Sequence, residues 1–166
     1  MLTVETGEII PGANSYVDRA DYIAFAASVG VTIPDDETAD AELVQACMFI
    51  DSNEPLLKGS RVSRDQSTAY PRNDLELEGW PWSNTEIPRQ AITCQLNLAL
   101  EIHAGIDLYN PVSSSPASVK RERVEGVVDI TYATSNSPAK MDRNSKGFAI
   151  LALLKERSGL NLVPSR

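Results

Sequence analysis

A buried central helix is predicted by residues 86–104, which read EIPRQAITCQLNLALEIHA. Apolar side chains recur around nearly its whole circumference between Ala91 and Ile102. Pro88 falls in the first turn, where the missing N–H of proline costs nothing. Because a helix that is apolar on all sides must be covered by other elements, this segment is expected to form the centre of the fold.

Two shorter helices are predicted before it. Asp18 is a suitable N-cap with Asp21 three residues later, similar to a capping box. The apolar stripe expected on this first helix consists of Ala20, Ile23, Ala24 and Ala27. The acidic residues 35–37 suit the start of the second helix. The core face expected on the second helix consists of Leu43, Ala46, Cys47 and Ile50.

The hydrophobic period changes from 3.6 to 2 after the central helix. Residues 119–124 and 127–133 alternate and are separated by Glu125-Gly126, a pattern that predicts a β-hairpin at about 118–133. A polar linker from Thr134 leads to a last helix at about 146–157, after which Leu160 is expected to fold back on that helix.

These elements predict a mainly α fold. It is a small helical bundle of about four helices with one inserted β-hairpin and a C-terminal helix. The expected division is a helical body, 1–133, followed by the linker and the C-terminal helix, 134–166.

The charge of the chain is distributed unevenly. The net charge is −8 over 166 residues, a length that suits a single domain with its own core. Residues 1–57 contain one base, Arg19, against eleven acids, whereas residues 138–166 contain six bases against two acids. Solvated faces explain such a pattern, and so does docking of complementary ends.

Neither catalysis nor a membrane span is expected from the residue types. The only histidine, His103, lies nine positions after Cys94, and on one helix this places them on opposite faces, so they cannot form a Cys–His pair. No cofactor motif or metal-ligand spacing occurs, so no enzyme activity, metal or cofactor is predicted. Both Cys47 and Cys94 are expected to be buried thiols, with a disulfide open only if their helices meet there. The longest apolar run, Phe148–Leu154, is far shorter than the roughly 20 residues of a membrane span.

The segment 58–72, KGSRVSRDQSTAYPR, combines bases with an aromatic residue, and Trp80 and Trp82 follow shortly after. Such a combination can bind single-stranded nucleic acid by stacking and charge neutralisation. Alternatively, the arginines fix an irregular loop by bonding to backbone carbonyls and carboxylates. The acidic balance of the whole chain favours the second interpretation, because it opposes phosphate.

The motifs of the chain resemble those of a family of small tailed-phage proteins found beside portal and tail genes. The resemblance spans about 15–157 and rests on Tyr16-Val17-Asp18, Ile50-Asp51, Gly59 to Gln66, Tyr70-Pro71-Arg72, Ile87-Pro88-Arg89, the 119–124 strand and Leu153-Leu154. Tyr70 stands where tryptophan is commoner in the family, and residues 73–84 are individual to this chain.

Two functions are attached to that family. One is a structural head–tail connector, or adaptor, in the virion; the other is a DnaT-like single-stranded-DNA-binding accessory protein of phage replication. The connector function implies a ring of copies, twelvefold in the family, that is assembled in the host cytoplasm and lies beneath the portal protein. Its other implied partners are a stopper or tail-completion protein and duplex DNA, which passes through the lumen without specific binding.

The connector function also suggests roles for particular residues. Portal docking is expected of Phe148, Leu151, Leu154 and Leu160, steered by Lys146, Lys155 and Arg157. Subunit–subunit or loop-fixing contacts are expected of Arg61, Arg64, Asp65, Arg72 and Arg89. Contacts through the hairpin are expected of Lys120, Arg121 and Arg123.

Overall fold

Helices provide most of the regular structure in the computed structural model, which describes residues 1–109, 122–124, 128–130 and 145–156. The α-helices among these residues are α1 (Arg19–Ser28), α2 (Glu37–Ser52), α3 (Arg89–His103) and α4 (Lys146–Leu154). A short 3-10 turn, Glu54–Leu56, follows α2. The prediction of a mainly helical fold is confirmed.

The first two helices begin where the sequence predicts. The Asp18 carboxylate accepts a hydrogen bond from the backbone N–H of Asp21 at 2.8 Å. The Asp36 carboxylate accepts one from the backbone N–H of Thr38 at 2.8 Å, and this bond holds the pKa of Asp36 below its usual value. Each cap thus satisfies one of the N–H groups that a helix start leaves unpaired.

The central position of α3 is confirmed, because α1, α2 and α4 all pack against it. It begins at Arg89, three residues later than predicted, since Pro88 has extended backbone and acts as the N-cap. A buried glutamine, Gln95, ties the helix to its surroundings: its amide nitrogen donates to the Leu43 carbonyl at 2.8 Å, and its oxygen accepts from the Tyr16 N–H at 2.9 Å. The middle of the bundle therefore contains a satisfied polar group as well as apolar ones.

The face that α1 buries differs from the predicted one. Tyr22 and Ala26 are fully buried, whereas three of the predicted stripe residues, Ala20, Ala24 and Ala27, are exposed. The Tyr22 hydroxyl donates to the Glu42 carboxylate on α2 at 2.7 Å, and this bond fixes the rotation of α1. Alanines offer little burial energy in comparison, so they do not decide which face turns inward.

The strands form antiparallel pairs. β1 (Ser60–Arg61) pairs with β2 (Arg72–Asn73), β3 (Glu76–Leu77) with β4 (Trp80–Pro81), and β5 (Glu122–Val124) with β6 (Val128–Ile130). The last pair is the predicted hairpin, with Arg123 opposite Asp129. Its turn lies outside the described residues, as does the linker, so the division at 133/134 stays a prediction.

Close packing joins α4 to α3. A Cβ atom added to Gly147 would lie 2.6 Å from Leu98 Cδ2, so the absence of a side chain lets the two helices approach. Cys47 and Cys94 are buried free thiols, as predicted. Within the described parts of the chain, the helices are too short or too polar to span a bilayer.

Candidate functional site

Arg72 holds the irregular segment after α2 in place. Its buried guanidinium donates to the carbonyl oxygens of Lys58 at 2.7 Å, Gly59 at 2.8 Å and Ala69 at 3.2 Å. Three backbone carbonyls from two separate stretches are thus joined by one side chain. The planar guanidinium supplies donors in several directions, which a lysine cannot do.

Arg61 is bound by a carboxylate of the same segment. Its Nε and Nη2 donate to the two oxygens of Glu54 at 2.5 and 2.6 Å, and its Nη1 donates to the Gln66 carbonyl at 2.9 Å. The guanidinium keeps the pKa of Glu54 below its usual value. A second cation, Arg72, lies 3.7 Å from the same carboxylate.

Gln66 closes the loop between these two arginines. Its side-chain oxygen accepts from the N–H groups of Val62 at 3.0 Å and Ser63 at 3.1 Å. Its amide nitrogen donates to the carbonyls of Thr68 at 2.8 Å and Pro71 at 3.1 Å. Both polar atoms of the Gln66 side chain are thus bonded to the backbone of the loop, and neither is left for a ligand.

Asp51 connects the loop to the helical core. Its carboxylate accepts from the Ala69 N–H at 2.8 Å and from the Tyr16 hydroxyl at 3.1 Å. That hydroxyl in turn accepts from the Tyr70 N–H at 3.2 Å, and the two tyrosine rings meet edge to face. Burial raises the pKa of Asp51 and of the Tyr16 phenol.

Four of the seven motifs that carry the family resemblance, at 16–18, 50–51, 59–66 and 70–72, therefore meet in one internal network. We name it the loop clamp, and its members are Asp51, Glu54, Arg61, Gln66 and Arg72. The contacts of Arg61 and Arg72 are those expected of loop-fixing side chains. Neither guanidinium is free to form a cationic track for nucleic acid.

The other predicted contact residues of this region lie at the surface. Arg64 and Asp65 are exposed. Arg89, also exposed, lies 3.7 Å from Glu78 in a weak surface ion pair. These three side chains remain available to a partner.

The apolar face predicted to dock on a portal is used inside the chain. Leu151 and Leu154 are 1% and 0% exposed and belong to the common core with α3. The Phe148 ring packs edge to face on Phe49 with the centroids 5.3 Å apart. Leu151 and Leu154 are therefore not available for the predicted docking, whereas Phe148 is half-buried and its docking role stays a prediction. The outward side of the helix carries Lys146 and Leu153 instead, the latter 52% exposed.

Backbone bonds attach the end of α4 to the stretch after α2. The Lys58 N–H donates to the Leu154 carbonyl at 3.0 Å, and the Glu156 N–H donates to the Leu56 carbonyl at 2.8 Å. The Lys155 ammonium, predicted to steer docking, donates to the Asn53 side chain at 2.9 Å. Hence the end of α4 is bonded directly to the stretch that follows α2.

A groove lies where α4 passes the β3–β4 turn. Its volume is about 640 Å³. The residues that line it, here called the α4 groove, are Lys58, Leu77, Glu78, Gly79, Gln90, Ala152, Leu153 and Lys155. Gln90 is only 9% exposed, and its Oε1 has no hydrogen-bond partner among the described residues, while its Nε2 donates to Glu78 at 3.3 Å. The next residue after Gly79 is Trp80, which is 74% exposed.

Reasoning from the sequence did not find this groove. Gln90 reads as an ordinary polar residue of a helix, and Lys58 reads as part of the basic segment. The one available signal was Trp80-Pro81-Trp82, a pair of aromatic residues in a stretch with no structural assignment.

Four predicted contact residues are not among those the structure describes: Lys120, Arg121, Arg157 and Leu160. For Arg123, the description is limited to its backbone in β5. Among the residues that the structure does describe, no cluster of three or more side chains suited to a metal ion is found.

Comparison with known proteins gives one result. A family model described as "Putative DnaT-like ssDNA binding protein" matches residues 1–163, a range that includes the loop clamp and the α4 groove. No match is found among curated proteins or among solved structures.

Proposed function

The chain belongs to this DnaT-like family, and we propose that it is a structural head–tail connector subunit of a tailed-phage virion. In this proposal it forms a ring that joins the portal to the next neck or tail component and lets DNA pass. It acts through contacts and not through catalysis. Its partners are the portal protein, neighbouring copies and a stopper or tail-completion protein.

The observation that carries the proposal is that Arg61 and Arg72 are both engaged by partners within the chain, Arg72 in the interior and Arg61 at a half-buried position. A protein that bound single strands through residues 58–72 would need Arg61 and Arg72 at its surface. Both are instead engaged by Glu54 and by backbone carbonyls. A rigid internal loop is what a building block of an assembly needs, since it fixes the position of the surfaces on either side.

Acidic charge supports the same proposal. Residues 1–57 contain eleven acids against the single base Arg19. A negative lumen would let duplex DNA slide without adhering, because phosphates are repelled.

The burial of Leu151 and Leu154 changes which part of the chain is proposed to dock on the portal. Truncation at residue 145 would remove both leucines from the core and is therefore no test of docking. Deleting residues 157–166 keeps α4 complete and removes Arg157 and Leu160, which are still proposed as docking residues.

The test is reconstitution of the full chain with the portal protein of its own phage. Mass photometry should show a fixed number of copies per portal ring, and quantitative mass spectrometry should find the chain in purified virions at the same ratio. The 157–166 deletion should lose portal association while its melting temperature is unchanged, and the control Glu8→Ala, at an exposed position with no predicted contact, should keep both. Absence of the chain from virions would refute the connector function; full portal association of the deletion would refute docking by the tail alone.

The family description favours a second candidate, single-stranded-DNA binding in phage replication. A place for it on the described surface is exposed Trp80, the chain neighbour of Gly79 in the α4 groove, whose lining includes Lys58 and Lys155. Against it, Glu78 lines the same groove, so the track is not uniformly cationic.

Fluorescence titration with oligo-dT tests this candidate. Binding should quench Trp80 and weaken steeply with salt, and Trp80→Phe should abolish the quench while Trp82→Phe retains it. No quench at low salt would remove the candidate.

A further inference from the structure

We propose that the α4 groove receives an acidic corner of a second copy of this chain, so that copies associate head to tail. The acidic corner consists of Asp35, Asp36 and Glu37 at the start of α2. This inference deepens the proposed connector function, on which it rests, by naming the two surfaces that meet between neighbours.

The groove has the chemistry of a protein-binding surface. Lys58 and Lys155 supply two positive charges to its lining against the one carboxylate of Glu78, and Arg89 adds a third cation nearby, 3.7 Å from that carboxylate. Leu153, in the lining, exposes a large apolar side chain, and so does Trp80, the chain neighbour of the lining residue Gly79. Exposed apolar area with cations around it is typical of an interface for an acidic protein partner.

A buried side chain of the groove offers an unused hydrogen-bond acceptor to an incoming chain. Gln90 is nine-tenths buried and belongs to the lining, and its Oε1 lacks a donor among the described residues. A buried acceptor without a partner is costly. A backbone N–H from an incoming polypeptide would satisfy it.

The acidic corner carries charge that its own surroundings do not neutralise. Arg19, the only base in residues 1–57, donates to Asp40 at 2.8 and 2.9 Å and to Asp35 at 3.2 Å. One guanidinium thus faces two carboxylates there, and Asp36 and Glu37 add further negative charge. The corner is therefore suited to a cationic partner surface.

The two surfaces lie at opposite ends of one rigid element. The acidic corner is at the N-terminal end of α2, and Lys58 follows six residues after its last residue, Ser52. A helix of 16 residues is about 24 Å long. The corner of one copy therefore cannot fill its own groove, but it can fill that of a second copy. Repeating such a contact between unlike surfaces produces a ring when the rotation closes.

A charge-swap experiment on the full chain tests the inference. Self-association is measured by analytical ultracentrifugation, and ring formation on the portal by mass photometry, for the variants Lys58→Glu, Glu37→Lys and the two combined. Each single variant places like charges against each other and should weaken association about tenfold or more. The combined variant should restore association, because the ammonium introduced in the acidic corner of one copy then meets the carboxylate introduced in the groove of the next.

Two matched variants control for net charge and folding. Glu8→Lys and the double variant Ala24→Glu/Ala27→Glu make the same changes in net charge at exposed positions outside both surfaces and should leave association unchanged. All variants should keep the wild-type melting temperature within about 3 °C, as expected of substitutions outside the core.

The outcomes separate this inference from the proposed function. Single variants that still form rings on the portal as the wild type does would overturn the contact and leave the connector function standing. If the wild-type chain never joins the portal but self-associates with the charge-swap pattern, the connector function is overturned and the contact between copies stands. If Lys58→Glu weakens oligo-dT binding and leaves self-association unchanged, the groove belongs to nucleic acid and the inference is overturned.

Discussion

Replacing Arg72 by alanine is expected to destabilise the chain strongly without any partner being present. The side chain is buried and makes three hydrogen bonds to backbone carbonyls at 2.7, 2.8 and 3.2 Å. Alanine would leave these carbonyls without donors in a region with little access for water. Their bonds to a charged guanidinium are of the stronger kind.

The magnitude follows from these contacts. Hydrogen bonds to charged groups contribute about 1.5–3 kcal/mol each, so the three would sum to about 4.5–9 kcal/mol if they were independent. They share one side chain, and water that enters the new cavity recovers part of the loss. We therefore expect a loss of about 3–5 kcal/mol, a large share of the roughly 5–15 kcal/mol that stabilises a domain.

Urea unfolding followed by circular dichroism measures this loss. With a slope of about 2 kcal/mol per M, the midpoint should fall by about 2 M. Arg72→Lys should give an intermediate loss, because one ammonium cannot reach all three carbonyls. Arg64→Ala, an exposed arginine of the same segment, should change the midpoint very little.

The result that would refute this reasoning is a stable Arg72→Ala variant that loses only partner or DNA binding. Such a result would mean that the guanidinium serves an intermolecular contact, and that the inward bonds do not describe its role.

Further predictions concern the core, the thiols and acid stability. Leu154→Ala should lower the free energy of unfolding, measured in urea, by about 2–5 kcal/mol because Leu154 is fully buried. Leu153→Ala should lower it by less than about 1 kcal/mol. Equal losses would contradict the packing of α4. Burial raises the pKa of Cys94 to about 12, so this thiol should react with Ellman's reagent only as fast as the protein opens, and rapid reaction in the native state would contradict its burial. The Arg61 guanidinium is the main cause of the lowered folded-state pKa of Glu54. The stabilisation from this pair is therefore complete above pH 4.5, the usual pKa of the Glu54 carboxyl, and is lost as the pH falls through the folded-state pKa. Glu54→Gln should therefore reduce stability at pH 7 and flatten its decline towards pH 3; a decline as steep as that of the wild type would contradict the pairing.

Local chemistry explains why the helix positions could be predicted. Asp18 and Asp36 are caps that act within three residues, so their effect is visible in the sequence. The core face of α2 and the all-round burial of α3 follow from the spacing of large apolar residues. Both signals depend on residues that are neighbours along the chain.

The face of α1 could not be predicted because a distant residue decides it. Several small apolar residues share helical spacing with the stripe of Ala20, Ala24 and Ala27. The bond from Tyr22 to Glu42 spans 20 residues, and nothing in the spacing of either residue indicates it.

Long-range contacts also explain the mistaken role of α4. Its sequence is apolar on most sides, which suits a helix that docks on another protein as well as one inside a core. The difference lies in Gly147, whose lack of a side chain allows contact with Leu98 on α3. In the sequence, a single glycine early in a short helix does not indicate which helix will pack against it.

The loop clamp and the burial of α4 together restrict how the chain can make contacts. With Arg72 and Leu154 committed to the interior, the affinity that the described residues can offer a neighbour comes from a few groups such as Trp80, Leu153 and Lys58. At about 25 cal/mol per Å² such groups give only modest binding for each contact. A closed ring compensates for this weakness, because every copy makes two contacts and the last one forms within a single particle. Weak pairs and a stable ring are therefore expected of the same surfaces, and dilution should dissociate the free chain long before it dissociates a ring held on the portal.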